Sequence, residues 1–345
     1  MVVRKTAMAL ALMLGWSGAA AAGPALLFDA SNGRVLYAED QDQPWHPASL
    51  TKIMTAYLVF EALKNNTLSL EQKIPVSANA HAQPPSKLGL PVGAEITVNL
   101  ALKALIVKSA NDSAVMLAEA IGGTEEAFVR SMNETALRLG MTQTRFVNPH
   151  GLPASEQVTT ARDLARLTRA VLAEHPAYDE LWSMADMQIG RRRLRTHNGL
   201  LRTYEGADGL KTGFICDSGF NVVATATREN RRLAAVVLGE YTSRDRSLRA
   251  ASLLEHGFRY YGWKELLSSA TIDNAPISAE TASPRSVREH VASFACNGKR
   301  HARAVPTKGQ KKKVRTKKRA PVTAGAAATR AEAGSAAGTS TSKSD

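Results

Sequence analysis

Ser49-Leu50-Thr51-Lys52 sets a hydroxyl and an amine three residues apart, on one face of any helix that contains them. A serine hydroxyl is a poor nucleophile until a neighbour takes its proton. A lysine one turn along can take it, provided burial or a nearby cation keeps the amine neutral. The positive end of a helix would also favour an oxyanion forming beside that serine. Ser109-Ala110-Asn111 offers a second hydroxyl and an amide on one turn, suited to relaying a proton and to hydrogen-bonding a substrate amide. Lys211-Thr212-Gly213, preceded by Gly209, offers a fixed positive charge, a hydroxyl for a carboxylate, and a glycine that lets a substrate backbone lie along a strand edge. Each run alone also has an ordinary reading: a helix cap with a solvated lysine, a turn between helices, a charged edge strand.

The elements that must position these runs follow from patterning. Ala25–Asp29 and Arg34–Ala38 read as strands, joined across Ala30-Ser31-Asn32-Gly33, where Asn-Gly supplies the positive φ of a tight hairpin. Pro47 introduces a helical pattern from Ser49 to Lys64, in which Ile53, Ala56, Tyr57 and Phe60 recur at helical spacing. Residues 65–97 look irregular, because Pro75, Pro84, Pro85 and Pro91 forbid long helices. Further helices are predicted at Leu100–Val107, at Ser113–Ile121, at Thr124–Leu139 with Gly140 as cap, and at Thr160–Ala173 with Thr159 or Thr160 as N-cap. Asp208–Phe214, Phe220–Thr227 and Leu233–Leu238 read as strands, the last two joined by Arg228-Glu229-Asn230-Arg231, and Ser247–Tyr261 closes as a helix. The order strands, helices, strands, helix predicts an α+β protein whose antiparallel sheet is built from both ends of the chain.

Taken together and in this order, Ser-x-x-Lys, Ser-x-Asn and Lys-Thr-Gly form the signature shared by penicillin-binding proteins and class A β-lactamases. The segment from Ala25 to Tyr261 resembles the low-molecular-mass D-alanyl-D-alanine carboxypeptidases of the penicillin-binding-protein family. The likeness is carried by Pro47–Thr55 around the serine, Lys108–Ala114, Asn148-Pro149-His150-Gly151-Leu152, and Gly206–Gly213. It implies the transpeptidase/β-lactamase-like fold, with a five-stranded antiparallel sheet flanked by helices and a helical subdomain. It implies a serine-type carboxypeptidase that removes the terminal D-alanine of peptidoglycan stem peptides through an acyl-enzyme on Ser49, and that β-lactams acylate. Lys52 would be the general base, with Ser109, Asn111 and Lys211 catalytic. Thr212 and Gly213 would bind substrate, and the backbone N–H groups of Ser49 and Phe214 would form the oxyanion hole. Arg246, or Arg244 beside it, would hold the terminal carboxylate. His150 is either a lining residue or a structural histidine. Phe214 departs from the family pattern, where a polar residue is frequent, and the residues after Tyr261 show neither a second β-rich domain nor an amphipathic anchor helix clearly. Three other readings remain. The first is a D,D-endopeptidase on wall cross-links. The second is a β-lactamase, disfavoured because no Glu-x-x-Leu-Asn lies between the second and third motifs. The third is a non-catalytic wall-peptide binder, disfavoured by the intact site.

The chain has 345 residues, 44% of them apolar, enough for one large core or two modest ones. Arg4 and Lys5, the apolar run Ala7–Trp16 and Ala20-Ala21-Ala22 have the layout of a signal peptide over residues 1–22. This predicts export to the periplasm or cell envelope. A catalytic domain is then expected over 23–263 and a weakly structured to disordered basic tail over 264–345. The tail explains the charge: eleven Lys or Arg and no acid lie between Lys299 and Arg319, and removing them from the net +13 leaves +2. Such a tail either touches anionic membrane or wall polymers or is simply solvated; with an export signal, nucleic acid is not an expected partner. Cys216 and Cys296 are either unrelated thiols or a disulfide, in which case the loop of about 80 residues would be worth roughly 4–5 kcal/mol in the chain-entropy model. No His-Glu-x-x-His, Cys-x-x-Cys or phosphate-binding glycine loop is present, so neither metal nor cofactor is expected.

Overall fold

Val222–Ala226 and Leu233–Leu238 are too continuously apolar for a sheet with one wet face, and both are buried. They are central in a five-stranded sheet: β1 Ala25–Asp29, β2 Val35–Glu39, β3 Ala207–Ile215, β4 Gly219–Arg228 and β5 Arg231–Glu240, in the spatial order β2-β1-β5-β4-β3 with every pair antiparallel. The computed structural model describes residues 23–267, 269–277 and 283–296, all within one unit of the chain, residues 1–300. The signal peptide expected over 1–22 and the Lys/Arg-rich run from 299 lie outside the described residues. Glu229 and Asn230 both take positive φ (48° and 61°), the two-residue turn whose twist matches its strands. In the first hairpin only Gly33 of the Asn-Gly pair does so (φ 74°), and the loop closes by Gly33 N donating to Asp29 O at 2.8 Å.

Successive side chains of the sheet feed two cores. Leu26, Phe28, Val223, Ala234 and Val236 face a helical layer built on α1 Lys52–Lys64, α2 Asn111–Gly122, α3 Glu125–Arg138 and α4 Ala161–Glu174. Ala25, Leu27, Val222, Ala235 and Val237 face Leu253, Leu254 and Tyr261 of α5, Ser243–Leu267. Thr124 and Thr160 cap α3 and α4 through their hydroxyls, and Gly140 (φ 73°) follows α3.

The departures from the sequence pattern fall near the three motifs. Ser49 lies in a 3-10 turn, Ala48–Thr51, and the α-helix starts only at Lys52. The predicted Leu100–Val107 helix is a short α-helix, Val98–Lys103, that widens into a π-turn, Ala104–Lys108. α2 starts two residues early at Asn111, and α5 is longer at both ends than Ser247–Tyr261. The stretch 65–97 holds a short hairpin, Lys73–Pro75 with Glu95–Thr97, and a helical turn, Ala78–Ala82.

A domain ending at 263 is also too short for what the structure describes. Val35 N donates to Ala270 O, Ile272 N to Gly33 O and Val287 N to Asp217 O, and Ile272 and Val291 are fully buried. Arg288 pairs with Asp217 through two bonds of 2.7 and 2.8 Å, and a disulfide joins Cys216 to Cys296. Residues 269–277 and 283–296 thus pack on the domain through backbone bonds and isolated apolar anchors, which leave no periodic pattern to read. Arg162, 1% exposed, ties this return segment down. It binds Asp42 bidentately (2.6 and 2.8 Å) and donates to the carbonyls of Ala275 (2.7 Å) and Pro276 (2.8 Å). Arg162→Ala leaves Asp42 buried without that partner, so a loss of roughly 3–5 kcal/mol and a melting temperature lower by about 6–20 °C are expected in thermal unfolding. An unchanged melting temperature would show that the pair contributes nothing net.

Candidate active site

The three motifs converge on one point. Lys52, 1% exposed on the first turn of α1, points its Nζ at Ser49 Oγ (3.1 Å), Asn111 Oδ1 (2.8 Å) and the carbonyl of His150 (2.5 Å). Asn111 is oriented from both sides, since its Nδ2 donates to Pro84 O at 2.9 Å while its Oδ1 accepts from Lys52. Lys211, on edge strand β3 and 3% exposed, donates to Ser109 Oγ at 2.9 Å and to Thr212 O at 3.1 Å. Two hydroxyls therefore each face one buried amine. Backbone strain is concentrated at both: Ala48, just before Ser49, has φ 49°, and Ser109 itself has φ 60° where the π-turn ends.

Ser49, Ser109 and Asn111 open onto a cleft of about 520 Å³, whose other walls include Thr212, Gly213, Phe214, Leu152, His150 and Arg246. Gly213 packs on the nucleophile turn: a Cβ there would stand 3.0 Å from Ser49 N and 2.9 Å from Pro47 O. Gly151 (φ 82°) is tighter still, with 1.8 Å between such a Cβ and Ala48 O. This close approach brings the His150 carbonyl onto Lys52. The His150 ring is buried, accepts from Leu152 N through Nδ1 at 3.2 Å, and has Nε2 3.8 Å from Glu125 Oε1. Arg246 lies on the first turns of α5, is 5% exposed, and lines the cleft, whereas Arg244 is exposed and does not line it. Arg246 Nη2 donates to the carbonyl of His197 at 3.1 Å, and its Nε is buried without a hydrogen-bond partner. His197 also lines the cleft, and the sequence reading gave it no role. A lone histidine between a hairpin, Asp186–Ile189 with Arg192–Arg195, and a short helix, Leu200–Thr203, carries no periodic signal.

A family model described as D-alanyl-D-alanine carboxypeptidase, Peptidase_S11, matches residues 13–242. The chain belongs to this family. It is 36% identical over 243 residues to the D-alanyl-D-alanine carboxypeptidase DacC of Escherichia coli K12, covering 68% of this chain and 61% of that one. It is 32% identical over 248 residues to a D-alanyl-D-alanine endopeptidase of Pseudomonas aeruginosa, covering 69% and 78%. Penicillin-binding protein D2 of Listeria monocytogenes, in its cefotaxime-bound crystal structure, matches with a TM-score of 0.63 at 33% identity over 69% of this chain and 97% of that one. The fold is the transpeptidase-like α+β fold that the motifs implied. The chain spans about three fifths of the length of curated relatives such as DacC.

The charges of this carboxypeptidase-family site are set by burial. Desolvation, then the charge of Lys211, hold Lys52 well below the ordinary lysine range, against a smaller opposing pull from Asp112. Desolvation, then Arg246, lower Lys211 to about 7. Burial lowers Arg246 to about 10, so it stays charged at neutral pH. Burial, then Lys52, lower His150 to about 3, which keeps its imidazole neutral and agrees with Nδ1 acting as an acceptor.

Proposed function

We propose that this chain is a serine-type D-alanyl-D-alanine carboxypeptidase that removes the terminal D-alanine from peptidoglycan stem peptides. The observation that carries the reading is a buried amine, Lys52 Nζ, held 3.1 Å from Ser49 Oγ and depressed in pKa. Neutral Lys52 takes the Ser49 proton, and Ser49 Oγ attacks the carbonyl between the two D-alanines. The backbone N–H groups of Ser49 and Phe214 stabilise the oxyanion. Ser109, beside Lys211, passes a proton to the leaving amine, and Arg246 with Thr212 anchors the leaving residue's carboxylate. Water then cleaves the ester on Ser49. A β-lactam acylates the same hydroxyl, as the cefotaxime-bound relative supports. Residues 1–22 are the export segment in this reading, and the enzyme acts in the cell envelope.

The 32% identity to an endopeptidase favours a second reading, cleavage of cross-linked peptides by the same residues. The deciding experiment measures free D-alanine from a pentapeptide ending in D-Ala-D-Ala, beside cross-linked dimers, with Ser49→Ala as control. Release from the pentapeptide that disappears in Ser49→Ala supports the carboxypeptidase. Cleavage of dimers alone replaces it with the endopeptidase, and no cleavage of either overturns both.

The pair of lysines also sets a pH profile. Acylation requires Lys52 neutral, so the rate rises with pH through the depressed Lys52 pKa. It requires Lys211 charged, so the rate falls as pH rises through about 7. Lys211→Arg keeps the charge well above pH 7 and should remove the falling limb near pH 7 in stopped-flow acylation. A falling limb that persists in that variant belongs to another group.

A further inference from the structure

The end of α1 away from Ser49 brings a second set of chemistry-bearing side chains together. Glu61 lies on the last turns of α1, Glu174 ends α4, and His175 follows it. One ligand-capable atom from each lies within 4.8 Å of the other two. His175 is 3% exposed, and its Nε2 stands 3.1 Å from Glu61 Oε1 without making a hydrogen bond to it or to any other described group. Buried imidazole nitrogens rarely lack a hydrogen bond, and this one faces the Glu61 carboxylate with Glu174 close by. The ring is fixed by an edge contact with Tyr57 (4.9 Å) and by Phe60 (5.6 Å). Glu174 Oε2 accepts from Tyr57 Oη at 2.6 Å, and Tyr57 Oη accepts from Arg138 Nη2 at 3.0 Å. Oriented ligands backed by an outer layer of hydrogen bonds are what a metal site requires.

We propose that Glu61, Glu174 and His175 bind one divalent transition-metal ion of the Zn2+ type, which ties the C-terminal ends of α1 and α4 together. One imidazole with two carboxylates suits Zn2+, and an imidazole donor disfavours the hard ions Ca2+ and Mg2+. Zn–ligand distances of about 2.0–2.2 Å in a tetrahedron set ligand atoms roughly 3.4 Å apart. The present spacing of up to 4.8 Å requires the carboxylates to turn toward the ion; Glu61 is partly exposed and Glu174 exposed, which leaves both room to turn and solvent to supply a water as fourth ligand. The two carboxylates offset the ion, while Lys64 and Arg138 nearby oppose it and moderate the affinity. Glu61 is nine residues beyond Lys52 on α1, roughly 14 Å at 1.5 Å per residue, so the ion is structural and takes no part at Ser49.

The test uses the full chain stripped with EDTA and titrated with Zn2+ by calorimetry, with Co2+ as a spectroscopic probe and Ca2+ and Mg2+ as controls. One equivalent of Zn2+ is expected, with a melting temperature raised by about 5–10 °C when free ion stands roughly 100-fold above Kd. His175→Ala empties a buried site and can unfold the chain, so Glu61→Gln and Glu174→Gln carry the test. Each should weaken Zn2+ binding by roughly tenfold or more while melting like the parent in EDTA. The Co2+ spectrum should show a nitrogen ligand, and D-alanine release should not change on chelation. No uptake overturns the proposal, as does uptake that both variants leave unchanged. Loss of D-alanine release on chelation would overturn the structural assignment.

Discussion

Lys52→Ala is expected to slow acylation of Ser49 by a β-lactam by about 10³–10⁴-fold, the upper range for loss of a general base that also sets the field at its nucleophile. The argument rests on position. Nζ is the basic group within hydrogen-bond reach of Ser49 Oγ, and Asn111 Oδ1 and the His150 carbonyl hold it there. Stability should change far less than activity. The substitution leaves two buried acceptors without this donor, at about 1–3 kcal/mol each, but it also removes a buried amine that resists its charge. Lys52→Arg separates base from charge: a guanidinium stays charged at neutral pH, so this variant should also fail to acylate there. The measurement is stopped-flow acylation with mass spectrometry of the adduct, beside a melting curve. A Lys52→Arg chain that acylates at the parent rate would remove Lys52 as the base.

How much of this was legible in the sequence depended on how local each feature is. Ser49 and Lys52 share a turn, so their pairing follows from spacing alone, and Thr124 and Thr160 cap helices by rules that act within three residues. The apolar runs of β4 and β5 were read as strands, and the structure adds that both faces of their sheet are covered. The left-handed backbone of Ser109 was hidden, because it arises where a π-turn is forced between helices, not from any propensity of serine. Arg162 was hidden for the opposite reason. On an amphipathic helix an arginine reads as a solvated charge, and only the fold shows Asp42 and the carbonyls of Ala275 and Pro276 around it. The metal ligands proposed at Glu61, Glu174 and His175 are 113 residues apart at the nearest step between helices, a separation at which no spacing rule operates.

Arg246→Ala is expected to lower kcat/KM for D-alanine release by about 10²–10³-fold, the loss that follows when one partner of a buried charge pair is truncated. Sequence left Arg244 and Arg246 open; the fold separates them, with Arg246 buried in the cleft wall and Arg244 exposed on the same helix. Arg246 is held through Nη2 by the His197 carbonyl, while its Nε has no hydrogen-bond partner and a carboxylate could supply one. The test is a double cycle in which the substrate's terminal carboxylate is replaced by an amide. If Arg246 binds the carboxylate, the parent enzyme discriminates strongly against the amide and the Arg246→Ala enzyme scarcely does. Arg246→Lys should recover part of the discrimination, since a point charge remains but the planar fork is lost. Arg244→Ala should match the parent throughout. An Arg246→Ala enzyme equally impaired on acid and amide would mean that the arginine acts on the cleft wall through His197 and not on substrate.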